Sequence, residues 1–121
     1  MARVLVVDDD PDIRYAAELV LRRGGHVVSS VCDGKGALAF FDGAGTCDLV
    51  LCDRMMPNLN GLQLLRALRE RPMAQPRFLF LSAQVLPGEI DEARRLGADG
   101  YLAKPFEPKE LLAEIARLMG G

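Results

Sequence analysis

Four groups of polar residues in this sequence could do chemistry together, and each group ends or follows a short apolar run. They are Asp8, Asp9 and Asp10 after Val6-Val7, Asp53 after Leu51-Cys52, Ser82 after Phe80-Leu81, and Lys104 after Leu102-Ala103. A carboxylate can act as a nucleophile or a metal ligand. A lysine ammonium is a compact charge for a phosphate oxygen, and a serine hydroxyl can bond another. If these groups meet, they supply what phosphoryl transfer to a carboxylate needs.

The apolar runs that carry these residues are typical of strands buried on both faces. Five such runs alternate with helical patterns, and prolines open three of the helices. The predicted strands are Arg3–Val7, Val27–Val31, Leu49–Asp53, Phe78–Leu81 and Gly100–Ala103. This alternation predicts an α/β fold, a flavodoxin-like (βα)5 doubly wound parallel sheet with right-handed crossovers and strand order 2-1-3-4-5. We expect residues 1–121 to form one domain.

The predicted strand order places strands one, three, four and five side by side, about 4.8 Å apart. Their carboxyl ends lie at one edge of the sheet, where open α/β sheets bind ligands. Several carboxylates gathered there repel one another, and a divalent cation relieves that repulsion. Oxygen ligands without nearby His or Cys favour Mg²⁺, with Mn²⁺ or Ca²⁺ as possible substitutes. The sequence therefore predicts a pocket for a phosphoryl group attached to, or passing through, Asp53.

Each of these residues also has a purely structural explanation. Asp10 is the natural N-cap of the helix opened by Pro11, and Asp12 complements the positive end of that helix; we accept this reading for both. Ser82 could cap a turn, and Lys104 could be a solvated surface lysine. Only their joint occurrence at strand ends favours a functional site.

Composition and residue counts argue against several kinds of protein. The formal net charge of −2 gives no sign of a general nucleic-acid or membrane-surface binder. We see no apolar run long enough for a membrane span and no signal peptide, and we expect a cytoplasmic protein. Cys32, Cys47 and Cys52 are odd in number and lack Cys-x-x-Cys spacing, which suits free thiols in a reducing compartment. The single histidine, His26, is given no catalytic role.

Together these motifs resemble the receiver domain of two-component response regulators, the chemotaxis regulator in particular. The resemblance covers essentially the whole chain. It is carried by Val6-Val7-Asp8-Asp9, Asp53 with Met56-Pro57 and Gly61, Ser82-Ala83, and Lys104-Pro105-Phe106. One mild departure is Asn60, which stands where the family often has aspartate.

The resemblance implies a role for each matching residue. Asp53 would be the phosphoacceptor. Asp9 and Asp53 would ligate Mg²⁺ through carboxylates, Met55 through its backbone carbonyl, and Asp8 through water. The phosphoryl oxygens would contact Ser82 and Lys104, and the Lys104–Pro105 bond would be cis. Tyr101 would be the switch aromatic whose rotamer follows Ser82, and Met55 and Gln84 would flank the path of the water that hydrolyses the acyl phosphate.

The resemblance also implies partners and an output. A histidine kinase or histidine phosphotransfer protein would donate the phosphoryl group. The last two helices and the fifth strand would then bind a downstream protein or a second copy of the chain, without direct contact to nucleic acid or membrane. The protein would be a regulator that catalyses only its own phosphorylation and dephosphorylation.

Three other functions fit this sequence less well. A haloacid-dehalogenase-like phosphatase would use Asp8 and Asp10 as its Asp-x-Asp, but it needs Thr or Val where Asp12 stands and does not explain Asp53. A flavodoxin-type FMN protein needs a first loop that accepts a phosphate, and this loop is acidic. A receiver-like module that binds partners without phosphorylation would not need the full set of pocket residues.

Overall fold

A computed structural model of the protein describes residues 1–83 and 85–120. Five strands and five helices alternate along these ranges. They are β1 Arg3–Val7, α1 Pro11–Arg23, β2 Val27–Val31, α2 Gly34–Asp42, β3 Leu49–Asp53, α3 Gly61–Arg69, β4 Arg77–Ser82, α4 Pro87–Arg95, β5 Gly100–Ala103 and α5 Pro108–Leu118. The predicted alternation is confirmed.

The five strands form one parallel sheet in the order β2-β1-β3-β4-β5, as the sequence predicts. The register places Val7 opposite Cys52, and Asp53 opposite Leu81. Ser82 lies opposite Ala103. The carboxyl ends of β1, β3, β4 and β5 therefore reach one edge of the sheet at similar height.

Alternate residues of each inner strand serve two separate cores. On β1, Val4 and Val6 face α1 and α5, whereas Leu5 and Val7 face α2, α3 and α4. The first core includes Leu21 and Ile115, and the second is filled by Phe78, Phe80 and the leucines of α3. Burial on both faces explains why these strands read as unbroken apolar runs.

The helix boundaries follow from capping residues. The Asp10 side chain accepts hydrogen bonds from the backbone N–H groups of Asp12 and Ile13, so its predicted role as N-cap is confirmed. Asn60 and Gln63 form a capping box that begins α3 immediately after the Asp53 loop.

His26 Nδ1 accepts a hydrogen bond from Ala2 N at 3.0 Å, which accounts for this histidine structurally. None of the helices in the described ranges has both the length and the apolar character to cross a bilayer.

Candidate functional site

The sheet edge brings together the polar residues that the sequence singled out. Asp8 follows β1 directly, Asp53 is the last residue of β3, and Ser82 is the last residue of β4. Lys104 follows β5, and its backbone N–H donates to the Ser82 carbonyl at 2.7 Å, which extends the strand pairing by one residue. The rigid central strands thus position the site.

Three carboxylates form the acidic part of the site. Oxygens of Asp8, Asp9 and Asp53 lie within 4.8 Å of one another. Asp8 and Asp53 are 1% and 7% exposed, whereas Asp9 faces solvent. Backbone N–H groups hold the two buried carboxylates, because Asp10 N donates to Asp8 Oδ1 at 2.9 Å and Met55 N donates to Asp53 Oδ1 at 3.3 Å.

The Lys104 ammonium bridges the two buried carboxylates. Its Nζ lies 3.1 Å from Asp8 Oδ2 and 3.2 Å from Asp53 Oδ1. Burial lowers the pKa of Lys104, but the carboxylates of Asp53 and Asp8 outweigh that effect and raise it. The lysine is therefore positively charged at neutral pH, and its ammonium lies within ion-pair distance of both buried carboxylates.

One ammonium does not balance three carboxylates. Burial and the Asp8 carboxylate raise the pKa of Asp53, and Lys104 with the Met55 N–H only partly offset this. Asp8 is almost fully buried, and the Lys104 ammonium, 3.1 Å from Asp8 Oδ2, is its counter-charge. An oxygen-only cluster with this excess of negative charge fits a hard divalent cation such as Mg²⁺.

The remaining predicted residues lie around this cluster. Ser82 is buried at the end of β4. The Met55 side chain is 72% exposed, two residues after Asp53. Tyr101 is half-buried on β5, with its ring centroid 5.7 Å from that of Phe80. The Lys104–Pro105 peptide is cis, as predicted, whereas Gln84 lies outside the described residues.

The family model of the response regulator receiver domain matches residues 4–116. The chain belongs to this family. Receiver domains of the family characteristically carry an aspartate that is phosphorylated in the presence of Mg²⁺.

Similar proteins agree with this assignment. The chain is 38% identical to the alkaline phosphatase synthesis transcriptional regulatory protein SphR of Synechococcus elongatus, over 98% of this chain and 49% of that protein. It is 37% identical to the transcriptional regulatory protein TrcR of Mycobacterium tuberculosis, over 97% of this chain and 45% of that protein. The receiver domain thus spans about half the length of these curated relatives.

Solved structures show the same fold. The chemotaxis protein CheY4 of Vibrio cholerae superposes with a TM-score of 0.90 at 33% identity, over 98% of both chains. The receiver domain of the Francisella response regulator 1452 gives 0.91 at 32% identity, over 99% of this chain and 98% of that one.

Sequence reasoning missed two arginines at the edge of this receiver site. Arg14 on α1 donates to the Asp8 carbonyl at 2.8 Å and so braces the acidic loop. Arg54 directly follows Asp53 and pairs with Glu89 and Glu92 on α4. The spacing of three between the two glutamates places them on one helix face, but it does not indicate that Arg54 is their partner.

Gly61 allows the loop that follows Asp53 to lie close to the start of α3. A methyl group at this position would lie 2.7 Å from the Asp53 carbonyl oxygen and 2.7 Å from the Phe80 ring. We expect Gly61→Ala to lower the free energy of unfolding by about 1–3 kcal/mol, because the backbone next to Asp53 must shift. Urea denaturation measures the change.

Gly88 in α4 provides the matched control for this substitution. A methyl group there meets no atom within 4 Å. Gly88→Ala should therefore leave stability unchanged or raise it by up to about 1 kcal/mol. Equal stability of Gly61→Ala and the wild type would contradict the close packing described for the loop that follows Asp53.

Proposed function

We propose that residues 1–121 form one receiver domain that accepts a phosphoryl group on Asp53. The observation that supports this most strongly is the placement of a buried aspartate 3.2 Å from a lysine ammonium and within 4.8 Å of two further carboxylates. Asp9 and Asp53 would hold Mg²⁺ through carboxylates, Met55 through its backbone carbonyl, and Asp8 through water. Mn²⁺ or Ca²⁺ would fit the same oxygen donors.

The transfer we propose is an in-line displacement. An Asp53 carboxylate oxygen attacks the phosphorus of a phosphohistidine, a P–O bond forms, and the P–N bond breaks with its electron pair returning to the imidazole. Lys104 already lies beside Asp53 and offers its positive charge to the incoming phosphoryl oxygens. Ser82, on the neighbouring strand, offers a hydroxyl to another. The bound cation would neutralise part of the phosphoryl charge.

The structural response that we propose begins at the same edge of the sheet. Phosphorylation adds negative charge at Asp53, which would draw Ser82 and its loop inward and let Tyr101 turn inward. The surface formed by α4, β5 and α5 would then change its affinity for a downstream protein or a second copy. This makes the chain a regulator that catalyses only its own phosphorylation and dephosphorylation.

The partners we propose are a histidine kinase or a histidine phosphotransfer protein upstream. Two relatives are named transcriptional regulatory proteins, so our expectation of no nucleic-acid contact is restricted to these 121 residues, whose formal charge is −2. We keep the expectation of a cytoplasmic location without membrane contact. The three free cysteines suit a reducing compartment.

A small acyl phosphate, supplied with Mg²⁺, tests this function. We expect the intact mass to rise by one phosphoryl group, and to stay unchanged when Mg²⁺ is chelated. Catalytic turnover of a phosphomonoester would instead indicate a phosphatase. Binding of FMN with a yellow spectrum would indicate a flavodoxin, and no mass change would indicate a module that acts without phosphorylation.

The lifetime of the acyl phosphate gives a separate prediction about Met55. Its side chain is 72% exposed beside Asp53 and has no polar group to orient a water molecule. We expect Met55→Asn to accelerate hydrolysis by about tenfold, equivalent to 1.4 kcal/mol of barrier, since the amide can hold a water in line with phosphorus. Decay of the isolated phosphoprotein in Mg²⁺ measures this rate.

Met119 provides the control because it is also exposed and follows α5. Met119→Asn should leave the decay rate unchanged. An unchanged or slower decay in Met55→Asn would show that Met55 does not set the lifetime.

A further inference from the structure

Arg54 connects the acceptor strand to α4. Its backbone is fixed on both sides, because its N–H donates to the Leu81 carbonyl at 2.9 Å and its carbonyl accepts from Gly61 N at 3.0 Å. Its side chain is only 11% exposed. A residue adjacent to Asp53 and paired to the strand that ends in Ser82 will shift if either of them moves.

The guanidinium of Arg54 contacts two carboxylates on α4. Nε lies 3.5 Å from Glu89 Oε2, and Nη2 donates to Glu92 Oε1 at 3.1 Å. Burial lowers the pKa of Arg54, but the hydrogen bond to Glu92, together with Tyr101 and Glu89, outweighs that effect and raises it. We call Arg54, Glu89 and Glu92 the α4 clamp.

The α4 clamp also includes a contact to the predicted switch residue. The Tyr101 hydroxyl donates to Glu89 Oε2 at 3.5 Å, and the Tyr101 ring packs against Phe80. One set of charges therefore connects the residue after the acceptor, the first turns of α4, and β5. Arg54 Nη1 is buried without a hydrogen bond to any described residue, so the clamp does not satisfy the guanidinium fully.

The start of α4 is otherwise weakly attached. Leu86, its N-cap residue, makes no capping hydrogen bond through its side chain. Ala93 is the buried residue of this helix, whereas three leucines of α3 are fully buried. With so little apolar burial, the position of α4 depends strongly on the contacts of Arg54.

We propose that Arg54 is a positioning residue whose α4 clamp favours the unphosphorylated arrangement and opposes phosphorylation of Asp53. This inference depends on the proposed function above. The clamp stabilises the unphosphorylated arrangement of α4. The free energy that it contributes therefore opposes the change to the phosphorylated arrangement. Removing the clamp should loosen α4 and make phosphorylation faster. Removing an ion pair that is not coupled to Asp53 should leave the phosphorylation rate unchanged.

Arg54→Met tests this proposal, since methionine keeps an extended side chain and removes the charge. Without a phosphodonor, we expect the backbone amides of α4 at positions 88–95 to exchange with solvent faster than in the wild type. With an acyl phosphate and Mg²⁺, the initial phosphorylation rate should rise about threefold, the effect expected for partly exposed ion pairs. Arg54→Lys should return the amide exchange and the phosphorylation rate part of the way to their wild-type values. Lysine keeps the positive charge, but it cannot contact both carboxylates as the guanidinium does.

Two further variants make the result specific. Arg71→Met removes a comparable ion pair, formed with Asp42 Oδ1 at 2.6 Å, and should change neither readout. Glu92→Gln should act in the same direction as Arg54→Met, and the double variant should show less than the sum of the two effects.

Each outcome decides the proposal. Unchanged exchange in α4, or faster exchange with unchanged or slower phosphorylation, would overturn it while leaving the phosphoacceptor function intact. Failure of the wild type itself to take up a phosphoryl group would overturn the proposed function instead. Additive effects of Arg54→Met and Glu92→Gln would show that the two residues act separately and would overturn the α4 clamp as one unit.

Discussion

Asp53→Asn is expected to abolish uptake of a phosphoryl group. Asparagine keeps the size and the hydrogen-bonding oxygen of the side chain but cannot attack phosphorus as a carboxylate does. Intact mass after incubation with an acyl phosphate and Mg²⁺ should rise by one phosphoryl group in the wild type and stay unchanged in the variant.

Asp10→Asn is the matched control. Asp10 caps α1 and lies outside the carboxylate cluster, and asparagine is an equally good N-cap. This variant should be phosphorylated like the wild type. A full mass gain in Asp53→Asn would show that another residue is the acceptor.

Mg²⁺ is expected to stabilise the wild type and not Asp9→Ala. A ligand at 100 times its dissociation constant stabilises a folded protein by about 2.7 kcal/mol, which for a domain of this size raises Tm by roughly 10 °C. Asp9 is the exposed member of the cluster, so its removal opens no core cavity. Thermal unfolding with and without Mg²⁺ measures the difference.

Asp12→Ala is the control for Asp9→Ala, because Asp12 is an exposed acidic residue in the first turn of α1. Its Mg²⁺-dependent stabilisation should match that of the wild type. Persistent stabilisation in Asp9→Ala would contradict the metal site, and phosphorylation of that variant at the normal rate would contradict its role in transfer.

The sequence predicted the sheet because its signals are local and mutually consistent. Val4 to Val7 and Leu49 to Cys52 are buried, so their positions read as apolar runs, and the polar residue that ends each run marks the sheet edge. Parallel pairing in a doubly wound order then brings Asp8, Asp53 and Lys104 together without further information.

The α4 clamp could not be predicted in the same way. Arg54 reads as an ordinary loop residue, and Glu89 and Glu92 read as an exposed helix face. Their contacts depend on where α4 lies relative to β3 and β5, which no local pattern determines. The roles of Asp53, Ser82, Lys104 and the Met55 carbonyl remain predictions, because they concern a bound cation and a phosphoryl group.

Chemical mapping of the phosphorylated residue identifies the acceptor within the sequence. Borohydride reduces an aspartyl phosphate to homoserine, which peptide mass spectrometry locates within the sequence. After treatment with an acyl phosphate and Mg²⁺, we expect homoserine at position 53 and aspartate unchanged at positions 8 and 9. Homoserine at position 8 or 9, or none anywhere in a protein that has gained a phosphoryl group, would contradict the assignment of Asp53 as the acceptor.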